Sequence, residues 1–468
     1  MIAATHSGAG KTTVATALMA VLTRAGLTVQ PYKVGPDYID PGYHTAATGR
    51  VSRNLDAWFL GRPGLTELFR RGAAGADLCL IEGVMGLYDG RGAGEEGSSA
   101  QVAKWLSTPV VLVIDARSLA RSGAALVLGY RLFDPAVPLA GVLLNRVGSS
   151  RHYTLLRKAI EEEAGLPVLG WIGRRQEVYL PERHLGLLPT SEKDALFEHL
   201  NRLVDSLGEG VDLKRLVAVA RSAPPLPEGE GGIFPAEPLP PAVRIGVVRD
   251  AAFHFYYRDG LDLLEALGAD LVFLSALEDG VLPRDLDGLY IGGGFPEMFL
   301  PRLAANGSFM EDLRGAFYRG MPIYAECGGL MYLCRAIVDF EGREYPMAGL
   351  LPGICRMQRR RVALGYVKAR VLTGNILAGV GEELRGHEFH YSSLEEMPEG
   401  IPRAYLLYQE GDSRGKPDGY VMNNLLASYL HLHLASCPQA AERFLHHCAR
   451  YKAARMAAGC KFSCSGRV

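Results

Sequence analysis

The sequence has no long hydrophobic run, no excess of charge of either sign and few cysteines. Its longest apolar stretches, such as PVVLVI from Pro109, are far too short to span a bilayer, so no membrane partner is expected. Lys plus Arg number 50 against 51 Asp plus Glu over 468 residues, which removes any bulk-charge argument for nucleic acid or an anionic surface. The first residues lack the charged start and apolar stretch of a secretory signal, so a cytoplasmic location is expected. Six cysteines (Cys79, Cys327, Cys334, Cys355, Cys437 and Cys448) are scattered as free thiols of a reducing compartment would be. Cys460 and Cys464 form CKFSC near the end. Without a second pair this is weak metal evidence, and it reads as two free thiols in a frayed tail.

What is present is a soluble globular composition, 48% hydrophobic and 22% charged, in a chain too long for one ordinary core. From the start to about Leu207, short apolar runs at 77–81, 109–115, 139–145 and 167–172 alternate with helical spacing, as at 119–131 and 151–164. That alternation predicts an α/β fold with a parallel sheet covered on both faces. A proline-dense segment, RSAPPLPEGEGGIFPAEPLPPAVR from Arg221, cannot hold a packed element and reads as a linker. The alternation restarts at 243–250, with a helix near 257–267 and further strands at 270–275, 286–294 and 321–329. The expected organisation is a nucleotide-binding domain over 1–220, a linker over 221–242, a second α/β domain over 243–450 and a tail over 451–468.

THSGAGKTT opens the first domain. Gly8 and Gly10 let backbone N–H groups approach phosphate oxygens, with Ser7 beside them and the next helix pointing its N-terminus at the same anion. Lys11 would reach the outer phosphates of ATP, and the Thr12 hydroxyl would help hold Mg²⁺. Thr5 stands where the strict phosphate-loop pattern wants glycine. DLCLIEGVMGLYDG, from Asp77, ends a buried strand in Glu82 and leads through a glycine turn to Asp89; a carboxylate there suits Mg²⁺. YKVGPDYIDPGYH, from Tyr32, places Asp37 and Asp40 on a proline- and glycine-stiffened loop rather than a helix. Acids so placed bind metal, orient a substrate, or are surface turns. Asn145, at the end of a later strand, either reads the adenine edge or caps the chain.

In the second domain MPIYAECGGLMYL runs from strand through Cys327 and two glycines into a helix, the geometry of a nucleophile elbow. The turn is expected to expose the thiol and the helix start to favour thiolate. The N–H of Gly328, with Gly293 and Gly294 of IGGGFPE, would line an oxyanion hole. Cys334, farther along, lacks that setting and is assigned to the core. A thiol nucleophile needs a base. His431 and His433 stand at alternate positions of the strand-like ASYLHLHL, and GHEFHYSS adds His387 and His390.

Taken together, THSGAGKTT, KVGPDYIDPGYH, EGVMGLYDG, LLNRV, ERHLGL, AFHFYYRDGLDLLEALGA, YIGGGFPE, AECGGLMYL, GHEFHYS and SYLHLHL resemble the cobyrinic acid a,c-diamide synthase family along nearly the whole chain. The resemblance implies a dethiobiotin synthetase-like phosphate-loop domain followed by a class I glutamine amidotransferase domain. It implies ATP- and glutamine-dependent amidation of two acetate arms of a macrocycle, with Mg²⁺ as cofactor. In that reading Cys327 attacks the glutamine amide and His431 activates it. Asp37, Tyr38, Asp40 and Asp89 fall at positions tied to substrate and phosphoryl transfer, and Thr12 and Glu82 at Mg²⁺. The partners implied are small molecules, with a monomer or homodimer as the assembly. The sequence departs from the family at Ala4 and Gly260, and His431-Leu432-His433 replaces the His-x-Glu of many class I enzymes, leaving the role of His433 open. The macrocycle is cobyrinic acid, metal-free hydrogenobyrinic acid or nickel sirohydrochlorin; Phe253, Tyr256 and Tyr257 would pack against it or form core. The competing class is a regulatory NTPase with a non-catalytic second half.

Overall fold

The computed structural model describes residues 1–174, 198, 200–205, 207, 210–226 and 231–464, with side chains to 457. ERHLGL, at 182–187, lies outside them. The chain divides into two compact units, Met1–Gly231 and Gly232–Val468. Among the described residues, no helix is long and apolar enough to cross a membrane.

Among the described residues the first unit holds seven parallel strands: β1 (Ile2–Ala4), β2 (Val29–Val34), β3 (Arg53–Leu55), β4 (Leu78–Glu82), β5 (Val110–Asp115), β6 (Leu139–Val147) and β7 (Val168–Gly173), in the order β3-β2-β4-β1-β5-β6-β7. Alternate residues of one strand enter different cores. Val110, Leu112 and Ile114 pack into one apolar cluster, Val111 and Val113 into another. A strand with both faces covered must be apolar at every position, which is why these runs show no alternation.

Helix α1 (Lys11–Arg24) follows the glycine loop and α2 (Asp40–Thr48) follows β2. The second helix corrects the sequence expectation, because Asp40 sits in its first turn rather than on a loop. Pro41 lies near the helix start, where a missing N–H costs nothing. The Asp37 carboxylate accepts from the backbone N–H of Ile39 at 2.8 Å and of Asp40 at 3.1 Å, so it holds the entry.

In the second unit β8 (Val243–Val248), β9 (Ala269–Leu274), β10 (Gly288–Ile291) and β11 (Ile323–Glu326) are parallel. α3 (Gly328–Leu333) follows β11 directly. Six more strands extend the same sheet: β12 (Ala363–Val371), β13 (Glu383–His390), β14 (Arg403–Tyr408), β15 (Lys416–Met422), β16 (Leu425–Ser428) and β17 (Leu430–Leu432). The order is β9-β8-β10-β11-β16-β15-β14-β12-β13-β17, parallel as far as β16 and antiparallel beyond. A final helix, Pro438–Cys464, runs on past residue 451, where the sequence suggested a frayed tail. The side chains of Cys460 and Cys464 lie outside the described residues.

Candidate functional site

The first candidate site lies at the carboxyl ends of β1, β2, β4 and β6. Gly8 and Gly10 adopt φ of 85° and 91°, a left-handed backbone that costs an L side chain dearly. A Cβ on Gly10 would stand 2.1 Å from the Asn145 side-chain nitrogen. That amide is turned into the loop: Nδ2 donates to the Ala9 carbonyl at 2.9 Å, while Oδ1 accepts from the Arg146 N–H at 2.9 Å. Arg146 in turn donates to the Gly8 carbonyl at 2.8 Å and pairs with Asp115 at 2.7 Å. In this structure Asn145 and Arg146 both bond to the loop's own backbone. Ser7 is exposed on the loop's outer edge.

Glu82 is fully buried and is the hub of a polar cluster. Its Oε1 accepts from Thr12 at 2.6 Å, from Lys33 at 2.9 Å and from Lys11 at 3.2 Å. Its Oε2 meets His44 Nε2 at 2.6 Å. Lys33 also pairs with Asp40 and lies 3.7 Å from Asp37. The Thr12 hydroxyl reaches Asp40 at 3.2 Å as well. The structure thus gathers Lys11, Thr12, Asp37, Asp40 and Glu82, with Tyr38 on the connecting turn. Asp89 stands on the next turn, where its carboxylate accepts from the Gly86 N–H at 2.9 Å.

The charges in this cluster push on one another. Burial, with Asp37 and Glu82 alongside, pushes Asp40 up to about 8. Burial lowers Lys11, and the Lys33 charge lowers it further. Lys33 is buried but held charged, its pKa raised because Asp40, Glu82 and Asp37 together outweigh desolvation. Among the described residues no trio of His, Cys, Asp or Glu forms a complete metal cage. The Thr12 hydroxyl and Glu82 carboxylate are nonetheless hard oxygen donors 2.6 Å apart beside the phosphate loop. Mg²⁺ commonly takes one or two protein ligands and completes its shell with phosphate and water, so the donor set fits it.

Lys33 and His44 belong to this site although neither stands out as a candidate in the sequence. The available signal was a lysine inside VQPYKV, which has to find partners once that strand is buried.

The second candidate site is built at the end of β11. Cys327 has φ 46° and ψ −99°, a strained turn that aims its side chain away from the strand it ends. Its N–H donates to the Ser428 carbonyl at 2.7 Å, and its carbonyl accepts from Met331 in α3 at 3.0 Å. The elbow is as the sequence suggests, but the thiol is not exposed. Cys327 is 4% accessible, and Sγ donates to the Phe389 carbonyl on β13 at 3.5 Å. Thiolate is not favoured either. Burial pushes the thiol pKa up, the Glu297 and Glu326 charges add to that, and the Gly328 N–H opposes it too weakly.

The glycines bring the loop and the histidine together. A Cβ on Gly328 would lie 3.1 Å from the Gly294 nitrogen, and one on Gly293 would lie 2.4 Å from His431 Cε1. His431, wholly buried on β17, has Nδ1 3.8 Å from Glu326 Oε2. His387 pairs with His431 in the β13–β17 ladder, two residues from the carbonyl that meets Sγ. The structure therefore places Cys327, Gly293, Gly294, Gly328 and His431 in one cluster. His433 packs elsewhere, stacked on Tyr257 with ring centroids 4.5 Å apart. Phe253 and Tyr257 are buried core, and the Tyr256 hydroxyl bonds to the Val248 carbonyl, so this trio is not a macrocycle platform.

Burial holds His433 down at about 3, against an ordinary 6.5. A folded-state pKa below the unfolded one adds stability that is complete above pH 6.5 and lost as pH falls toward 3. His433→Gln is therefore expected to flatten the fall in stability of the second unit between pH 7 and pH 5, by up to about 1.4 kcal/mol per pH unit. Urea denaturation of wild type and variant at both pH values checks this; parallel slopes would refute it.

Comparison with known proteins supplies the context. Residues 1–188 match the CobQ/CobB/MinD/ParA nucleotide binding domain, and residues 244–438 the CobB/CobQ-like glutamine amidotransferase domain. The chain is 46% identical to a cobyrinate a,c-diamide synthase of Dehalococcoides mccartyi, over 95% of this chain and 97% of that one. It is 43% identical to a protein of the same name from Caldanaerobacter subterraneus, over 96% and 98%. It is 44% identical to a hydrogenobyrinate a,c-diamide synthase of Streptomyces coelicolor, over 96% and 97%.

Proposed function

The chain belongs to the cobyrinate a,c-diamide synthase family, and from that premise we propose that it amidates the a and c acetate carboxylates of cobyrinic acid, using ATP and glutamine. The observation that carries this reading is the Cys327 elbow and the buried His431 gathered against one glycine loop, in the same chain as a phosphate loop beside the buried Glu82. A regulatory NTPase has no use for a strained, enclosed nucleophile beside a histidine.

The chemistry follows from the residues. His431 takes the Cys327 proton as Sγ attacks the glutamine amide carbon, and the N–H groups of Gly328 and Gly294 face the oxygen that gains charge. The C–N bond breaks, the proton leaves with ammonia, and water hydrolyses the thioester to glutamate. In the first unit the backbone N–H groups of the Gly8–Gly10 loop bind the ATP phosphates, and Lys11 offsets the charge of the terminal one. A substrate carboxylate takes that phosphoryl group, and ammonia displaces phosphate from the acyl phosphate to leave the amide. Mg²⁺, when held by Thr12 and Glu82, supplies further charge neutralisation on the transferring group. Asp37, Tyr38, Asp40 and Asp89 are assigned to substrate binding and phosphoryl transfer. All reactants are small molecules of the cytoplasm.

The Streptomyces relative favours a second reading, the same two amidations on metal-free hydrogenobyrinic acid. The test is to supply amide-¹⁵N glutamine and ATP with each macrocycle in turn and analyse products by mass spectrometry. A doubly labelled diamide from cobyrinic acid supports the first reading, and one from hydrogenobyrinic acid alone supports the second. Glutamate release with no labelled macrocycle would refute both.

A further inference from the structure

The chain has no carboxylate two residues after His431, because His433 stands there. The structure puts a different carboxylate in reach. Glu326, immediately before the nucleophile, is 1% accessible, and its Oε2 lies 3.8 Å from His431 Nδ1. Its Oε1 is filled by two donors, the Leu432 N–H at 2.8 Å and the Tyr324 hydroxyl. Its Oε2 receives one, from the Tyr290 hydroxyl at 2.9 Å, and that same oxygen is the one turned to His431.

The surroundings fix it there. Tyr290 and Tyr324 stack with centroids 4.8 Å apart, and burial raises both phenols well above their ordinary range, so they keep their protons and act as donors. The Leu432 N–H belongs to the strand that carries His431, so the carboxylate is tied to the histidine's own backbone. Three donors on a carboxylate that begins the elbow give it one orientation relative to both the thiol and the imidazole.

We propose that Glu326 is a positioning residue for the amidotransferase site, holding His431 with its Nδ1 hydrogen toward Oε2 and leaving Nε2 as the atom that takes the Cys327 proton. The proposal rests on the Cys327–His431 reading above. The gap of 3.8 Å is longer than a hydrogen bond, and a shift of under about 1 Å as glutamine binds closes it; such contacts are commonly long before substrate arrives. The anion then stabilises the imidazolium that forms when His431 accepts the proton. A neutral amide in its place would accept a hydrogen bond but carry no charge to stabilise it.

The test compares Glu326→Gln with Tyr290→Phe in the full chain, each assayed for glutaminase and for ammonia-driven amidation. Glu326→Gln is expected to lower glutaminase kcat by ~10²-fold or more, with KM for glutamine within about threefold and ammonia-driven amidation retained. Tyr290→Phe, which leaves the carboxylate in place, is expected to keep glutaminase kcat within about tenfold. In the wild type, ¹⁵N chemical shifts of the His431 ring should report the Nδ1-protonated tautomer, a measurement that needs no variant to fold. Near-normal kcat in Glu326→Gln or an Nε2-protonated His431 would each overturn the proposal. A wild type without glutaminase activity would instead overturn the reading on which it rests.

Discussion

Cys327→Ser is expected to lower glutamine-dependent amidation by ~10³-fold or more while ammonia-driven amidation continues at the wild-type rate. The two outcomes separate because the two halves of the chemistry stand on different units of the chain. Burial and two nearby carboxylates push the thiol pKa up, so the resting nucleophile is a neutral thiol that must be deprotonated as it attacks. A serine hydroxyl holds its proton more tightly still and asks more of the same base. The substitution itself is mild: the side chains are similar in size, and the strained φ of 46° is unchanged. A fold defect would therefore not explain a selective loss. Glutamate release and ammonia-driven product formation, measured on the same preparation, check the split. Full glutaminase activity in Cys327→Ser would remove Cys327 from the mechanism, and loss of both activities would remove the separation.

The two sites differ in how much of each is legible in the sequence. The glycines, Lys11, Thr12 and Cys327 announce themselves because they lie in short contiguous motifs whose spacing sets local geometry. Glu82 is legible as a carboxylate ending a buried strand. Lys33, His44 and Glu326 are not, because their partners are distant in sequence: Lys33 and Glu82 are 49 positions apart, and Glu326 and the Leu432 N–H 106. A residue of that kind is defined by the order of strands in the sheet, which hydrophobic periodicity along one chain does not encode. Parallel strands such as β5 and β10 are visible because two-sided burial makes them solid apolar runs. β12 is not, because it alternates buried Val367, Ala369 and Val371 with exposed Lys368 and Arg370, so no apolar run marks it. β2 is hidden by Pro31 and Lys33, the second of which proves central to the site. The helix at Asp40 escapes for a related reason. The proline beside it reads as a loop former until one sees that it occupies the start of a helix.

Lys33→Met is expected to destabilise the first unit by ~3–5 kcal/mol, a larger effect than Lys11→Met. Lys33 is 2% accessible and its ammonium serves Asp40, Glu82 at 2.9 Å and Asp37 at 3.7 Å. Methionine fills the same space with no charge, so the fully buried Glu82 loses a cation and Asp40 loses the partner that opposes its upward shift. Lys11 does not substitute, since the carboxylate it reaches is Glu82, at 3.2 Å, and α1 fixes its backbone on the other side of the cluster. Lys11→Met should therefore abolish ATP-dependent amidation with a much smaller change in stability, because Glu82 retains Lys33 and His44. Urea denaturation of both variants, followed in the transition of the first unit, distinguishes the keystone from the phosphate-binding lysine. Equal stability of the two would mean that the acids around Lys33 shed their charge when it is removed. In that case Asp40, already pushed up to about 8, is the group that takes the proton.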